Sequence, residues 1–191
     1  MAQQYQRVII KIGSNVLTQK NGLPDVPRIS HLVDQIAAIK KQGRDVVLVS
    51  SGAVASGRSL IQVDEKFNAV SARQLLASIG QVKLINTYAG LFEKYGMLCS
   101  QVLVTKEDFR DRMHYLNMKN CLELLLHHDV IPVVNENDVV SVTELMFTDN
   151  DELAGLIASM LNAHALIILS NVDGIYDGDP KIPGASVIKQ V

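Results

Sequence analysis

No stretch of the sequence approaches the roughly 18 consecutive apolar residues needed to cross a bilayer. The amino-terminal segment from Met1 to Arg7 is polar and carries no apolar signal core. These two absences predict a soluble, cytoplasmic protein with no membrane partner. Cysteine is scarce. Cys99 and Cys121 are the only two, too few for a disulfide framework, and both read as reduced thiols in or near the core. There is no basic excess either. The formal net charge is −2, which leaves no electrostatic footprint for nucleic acid, and none is expected as a partner.

Several site motifs are missing as well. GxxxxGK[ST] does not occur, which excludes a P-loop, and GxGxxG does not occur, which argues against an ordinary dinucleotide fingerprint. Asp177-Gly178-Asp179-Pro180 reads as turn chemistry and does not meet the spacing of an EF-hand loop. His127 and His128 are adjacent and face different sides of a helix, while His31, His114 and His164 have no evident partner in the sequence. No metal-ligand set is read from the chain.

Apolar residues make up 48% of the 191-residue chain and charged residues 20%. That composition supports a sizeable core, and the length predicts one domain over residues 1–191. Continuous apolar runs bounded by turn residues predict strands at 8–12, 45–50, 97–104, 130–134 and 165–169. Helical spacing predicts helices over 29–39, from Ala53 to Leu60, 69–95 with Gly80 and Gly90 as breaks, 112–128 and 150–163. Residues 22–27 read as loop, and Val139 to Thr148 as a hairpin or excursion. In the helix at 112–128, Leu116, Leu122, Leu125 and Leu126 are its apolar residues.

Strands that are apolar on both faces and alternate with helices imply an α/β architecture with a mostly parallel sheet covered on both sides. Ligands in such sheets bind beyond the carboxyl ends of the strands. Those ends carry Lys11-Ile12-Gly13-Ser14, Ser50-Ser51-Gly52, Asn135-Glu136-Asn137-Asp138 and Ser170-Asn171. All four are polar or glycine-rich, which predicts a single site.

Each cluster has two readings. Lys11 beside Gly13 suits phosphoryl oxygens, or it is a lysine snorkelling from the sheet end. Ser51-Gly52-Ala53 offers free N–H groups to an anion, or Ser50 or Ser51 simply caps the helix. Asn135 to Asp138 can hold an amino group or a water, or form a solvated turn. Asp149-Asn150-Asp151-Glu152 opens a helix, where acids are favoured by capping and by the macrodipole; alternatively, an Asp there orients a lysine across the site.

Taken together, these blocks resemble the amino acid kinase family. The resemblance rests on Val8 to Ser14, Val49 to Gly57, Gln74 to Gln81, Val133 to Asp138, Asp149 to Leu153 and Val172 to Tyr176, and runs through essentially the whole chain. It implies a three-layer αβα sandwich of the carbamate-kinase type. The Gln-Leu-Leu-Ala and Asn-Glu-Asn-Asp blocks are similar to those of members that phosphorylate the side-chain carboxylate of L-glutamate on the way to proline. The resemblance further implies ATP and Mg²⁺ as cofactors, L-glutamate as substrate, and a homo-oligomer. By matching motif, Lys11 would stabilise the transferring phosphoryl group and Asp151 would position Lys11. Ser51, Asp138 and Asn150 would hold glutamate. Gly13, Ser14, Gly52, Ser170 and Asn171 would line the nucleotide side.

Two departures stand out. Ser170-Asn171 occupies a place where Thr-Asp is frequent. Relatives also continue past Val191 into a Gly-rich, Met-Ser-Thr-Lys-like segment with a second lysine, so the expectation is a C-terminally incomplete domain lacking its last strands. The alternatives are an amino-acid-binding module without turnover, and a kinase acting on another carboxylate or carbamate.

Overall fold

A computed structural model describes residues 5–64, 66–141, 149–179, 182 and 184–190. Five short runs rich in Val, Ile and Leu form the strands β1 (Arg7–Ile12), β2 (Asp45–Ser50), β3 (Cys99–Val104), β4 (Ile131–Glu136) and β5 (Ala165–Leu169). They make one sheet in the order β3-β4-β2-β1-β5, and every pairing is parallel. Ile10 lies opposite Leu48 on one side and Ile167 on the other.

Parallel neighbours need crossovers, and helices supply them. They are α1 (Ser14–Leu17), α2 (Val26–Lys40), α3 (Ala53–Arg58), α4 (Ala69–Glu93), α5 (Arg112–His127) and α6 (Asn150–Met160), with a 3₁₀ turn at Lys106–Phe109. Short polar residues set several of the starts. The side chain of Asp25 accepts from Arg28 N, that of Asn68 from Ser71 N, and that of Asp111 from His114 N. Residues 26 and 27, expected as loop, belong to the first turn of α2, where proline is tolerated because its missing N–H has no helical acceptor.

Period-two alternation along the strands sorts the core into two layers. Val8, Ile10, Ile12, Val46, Leu48 and Val133 face α2 and α4, packing on Val33, Leu84, Tyr88 and Phe92. Ile9, Val47, Val49 and Val134 face the other way, onto Leu122 of α5 and Leu153, Ile157 and Met160 of α6. The result is the expected αβα sandwich.

Several expectations are corrected. The strand β5 is not covered on both faces: it is an edge strand, and Leu166, Ile167 and Ile168 are 36–40% exposed. The helix α4 runs unbroken through Gly80 and Gly90, because a glycine weakens a helix without ending it when packing holds both sides. Leu116 lies on the outer face of α5 and is exposed, while Met118 is buried in its place. Cys121 is also exposed, so only the half-buried Cys99 is near the core. The three histidines without evident partners all have one: His31 meets Gln35, His114 pairs with Asp108, and His164 Nδ1 accepts from Arg7 N. Val139 and Val140 lie in a turn. The rest of the expected hairpin, 142–148, falls outside the described residues. Among the described residues no helix is long and apolar enough to cross a membrane.

Candidate active site

Because the sheet is parallel, all strand carboxyl ends lie at one edge, and the polar residues that follow them converge there. Lys11 sits within the buried part of β1 and is only 7% exposed. A buried ammonium needs a partner. Asp151 supplies it from the first turn of α6, and the two form an ion pair. Asp149 caps the same helix, its carboxylate accepting from the N–H groups of Asp151 (2.9 Å) and Glu152 (3.0 Å). The cluster thus caps α6 through Asp149 and pairs with Lys11 through Asp151. Gly13 continues the ladder by donating its N–H to Leu169 O at 3.1 Å. A Cβ at Gly13 would stand 3.3 Å from Leu169 O and 3.4 Å from Lys11 Nζ, so the backbone here runs close to both β5 and the ammonium.

After β2 the chain turns at Gly52, whose φ of 99° is one that L-residues with side chains rarely adopt. Gly52 itself caps α3, with no side-chain cap bond. The serine-capping alternative is thereby overturned. Ser50 Oγ is bonded to Tyr88 Oη (2.9 Å) and Ser51 O (3.0 Å), and Ser51 Oγ accepts from Asn150 at 2.7 Å. The Tyr88 hydroxyl is fully buried. Burial pushes its pKa up to about 12, against the opposing effect of the Ser50 hydrogen bond.

The sequence pattern puts Asn135 and Glu136 beyond the strand, as ligand contacts or a solvated turn. They are instead the buried last residues of β4, and the turn begins beyond them. A chain of amides ties this strand end to its neighbours. The two protons of Asn150 Nδ2 serve three acceptors, Ser50 O (2.9 Å), Ser51 Oγ (2.7 Å) and Asn135 Oδ1 (3.2 Å), so one proton is shared. Asn135 Nδ2 donates in turn to Gln81 Oε1 of α4 at 3.0 Å. Thus β2, β4, α4 and α6 are cross-linked at one point. Asp138 is held by Arg73 of α4: both Nε (2.9 Å) and Nη2 (2.6 Å) donate to its Oδ1. The same Nη2 lies 3.5 Å from Glu136 Oε2.

These groups surround a cleft of about 590 Å³. Lys11, Gly13, Ser14, Ser51, Gly52, Asp138 and Asn150 line it, and the exposed Ser170 and Asn171 stand at its rim. Asp151 reaches it through Lys11. Residues absent from the sequence reading also line it, notably Arg58 and Arg73. Nothing in the local pattern marks Arg73, which reads as one more charge on a helix; only its neighbour Gln74, in a block that carried the resemblance, hinted at the place. Among the described residues there is no cluster of three or more His, Cys, Asp or Glu able to hold a metal ion. The acids there are otherwise engaged: Asp151 with Lys11, Glu136 and Asp138 with Arg73, and Asp149 with the first N–H groups of α6. The described residues therefore do not form a protein cage for Mg²⁺.

The sequence profile described as the amino acid kinase family matches residues 6–191. The chain belongs to the amino acid kinase family. Its five-stranded parallel sheet with helices on both faces is the α/β architecture that this membership calls for. This amino acid kinase chain is 56% identical over 191 residues, its whole length, to a glutamate 5-kinase of Bacteroides thetaiotaomicron, covering 53% of that protein. It is 51% identical over 187 residues (98% of the chain) to a glutamate 5-kinase of Chlorobaculum tepidum, covering 51% of it. It is 46% identical over 176 residues (92% of the chain) to one from a Thermoanaerobacter species, covering 47%. The chain thus spans about half the length of the curated relatives it matches.

Proposed function

We propose that residues 1–191 form part of the kinase domain of a protein that transfers the γ-phosphoryl group of ATP to the side-chain carboxylate of L-glutamate. The product is glutamyl 5-phosphate, an intermediate of proline biosynthesis. The observation that carries the reading is the Lys11–Asp151 ion pair set beside the Asn150–Ser51 contact in one cleft. Similarity to proteins named glutamate 5-kinase supports the choice of acceptor.

A carboxylate nucleophile is already ionised at neutral pH, so no protein base is required. The task is to bring two anions together and hold them in line. Lys11 neutralises charge on the transferring group, and Asp151 fixes the direction of its ammonium. Ser51, Asn150 and Asp138 bind glutamate. Gly13, Ser14 and Gly52 let the backbone approach the phosphates, and Ser170 and Asn171 lie beside the nucleotide. Mg²⁺ bound to the triphosphate would supply neutralisation of phosphate charge, held by the nucleotide rather than by a carboxylate cage. The protein works in the cytoplasm as a homo-oligomer.

The test is ATP-dependent phosphorylation of glutamate by the full-length protein, with the acyl phosphate trapped by hydroxylamine. Hydroxamate formation that needs both substrates is expected. ADP release without hydroxamate would overturn the reading.

A further inference from the structure

The contact between Arg73 and Asp138 uses only half of each group. Two guanidinium nitrogens, Nε and Nη2, converge on the single oxygen Oδ1. Among the described residues, Arg73 Nη1 and Asp138 Oδ2 have no partner. Arg73 is 44% exposed by side chain and Asp138 9%, and both line the cleft. A vacant cationic donor and a vacant anionic acceptor therefore stand side by side on one rigid support. The far end of that support is fixed too: Gln74, next to Arg73, donates to Val139 O at 2.7 Å, tying α4 to the turn that carries Asp138.

We infer that Arg73 and Asp138 together read the zwitterionic end of an α-amino acid, with Arg73 binding the α-carboxylate and Asp138 the α-ammonium. The inference rests on the proposed glutamate kinase reading and adds to it the residue that recognises the α-carboxylate. Glu136 also stands 3.5 Å from Arg73, so the guanidinium faces two carboxylates and the cluster is acidic as a whole. An incoming zwitterion sets its carboxylate against Arg73 and its ammonium against Asp138, so that unlike charges adjoin. A substrate lacking either α-group leaves one protein charge exposed to the cleft without its counterpart, which penalises it. A planar guanidinium suits a carboxylate because its donors form a fixed fork. Lys11, engaged by Asp151, is left to the phosphoryl end.

The test is a cycle between protein and ligand. Dissociation constants are measured by NMR titration on the full-length protein for L-glutamate, for 4-aminobutyrate, which lacks the α-carboxylate, and for glutarate, which lacks the ammonium. Arg73→Met is expected to weaken glutamate by about 10- to 100-fold, the scale of a charge-assisted fork. It is expected to leave 4-aminobutyrate within about twofold, because the group that Arg73 reads is already gone. Asp138→Asn is expected to weaken glutamate and 4-aminobutyrate but not glutarate. If Arg73→Met does not fold, Arg73→Lys carries the same cycle with a smaller factor. Equal losses for glutamate and 4-aminobutyrate, or no loss, would overturn the inference while leaving the kinase reading intact. A wild-type protein that binds no glutamate would overturn both.

Discussion

Lys11 of β1 and Asp151 of α6 form an ion pair inside the cleft, and the ammonium is almost wholly withdrawn from water. A cation so placed is poised against charge that develops beside it, since low-dielectric surroundings strengthen its field. Lys11→Ala is expected to lower kcat by about 100-fold or more with a smaller change in KM. Asp151→Asn keeps the lysine but frees its direction, and is expected to lower kcat by about tenfold. Steady-state kinetics on the full-length protein decide this. Turnover within twofold of wild type for Lys11→Ala would remove the lysine from the chemistry.

Asn150 joins three strand-end acceptors through one amide nitrogen. Asn150→Ala removes both donor protons and all three contacts, including the one that orients Ser51. The glutamate KM is expected to rise by about tenfold or more, while the KM for ATP stays within about twofold. A rise shared equally by both substrates would show general damage to the sheet edge rather than loss of a substrate contact.

Helices α3 and α4 cross where neither can carry a side chain. A Cβ on Gly80 would lie 1.8 Å from Ala53 O and 2.4 Å from Gly57 N. Glycine to alanine inside a helix ordinarily stabilises by up to about 1 kcal/mol. At Gly80 the clash is with backbone, which cannot yield without moving the Ser51–Gly52 loop, so Gly80→Ala is expected to destabilise by about 3 kcal/mol. Gly90 is the control, in the same helix but with nothing within 4 Å of its missing Cβ. Gly90→Ala is expected to leave stability unchanged or raise it slightly. Denaturant melts of the two variants test the contrast, which fails if they shift in the same direction.

Tyr88 gives a pH dependence whose sign follows from its burial. Its folded pKa is raised to about 12 from the ordinary value of 10.0. The unfolded chain therefore loses this proton first as pH rises, and stability present below pH 10 declines between 10 and 12. The loss is up to about 2–3 kcal/mol, at roughly 1.4 kcal/mol per pH unit. Burial raises the Cys99 thiol as well, so part of the alkaline decline remains without the tyrosine. Tyr88→Phe is expected to flatten the stability curve across that interval. An unchanged slope in alkaline urea melts would contradict the assignment.

Much of this architecture is legible in the sequence, and the reason is local. Val46 to Val49 and Ile131 to Val134 are apolar on both faces, which only a covered parallel strand requires. The acidic opening of α6 and the glycine turn after β2 are likewise written in a few consecutive residues. What was missed depends on residues distant in the chain. Leu166 to Ile168 have a buried strand's composition, yet they lie at the sheet edge, and composition cannot report position in a sheet. Asn135 and Glu136 look like a polar turn, but the partners that allow their burial, Gln81, Arg73 and Asn150, come from other elements. Gly80 looks like a helix break because the backbone it accommodates belongs to α3. Arg73 carries no local mark, since its meaning lies in Asp138.

The proposed reaction is phosphoryl transfer to the side-chain carboxylate of glutamate. Glutamate labelled with ¹⁸O at that carboxylate should yield glutamyl phosphate, which cyclises and releases phosphate retaining the bridging oxygen. ³¹P NMR of the phosphate formed by the full-length protein, with ATP, reads this directly. One ¹⁸O per released phosphate is the predicted result. Unlabelled phosphate would mean that water, not glutamate, received the group, and would contradict the account.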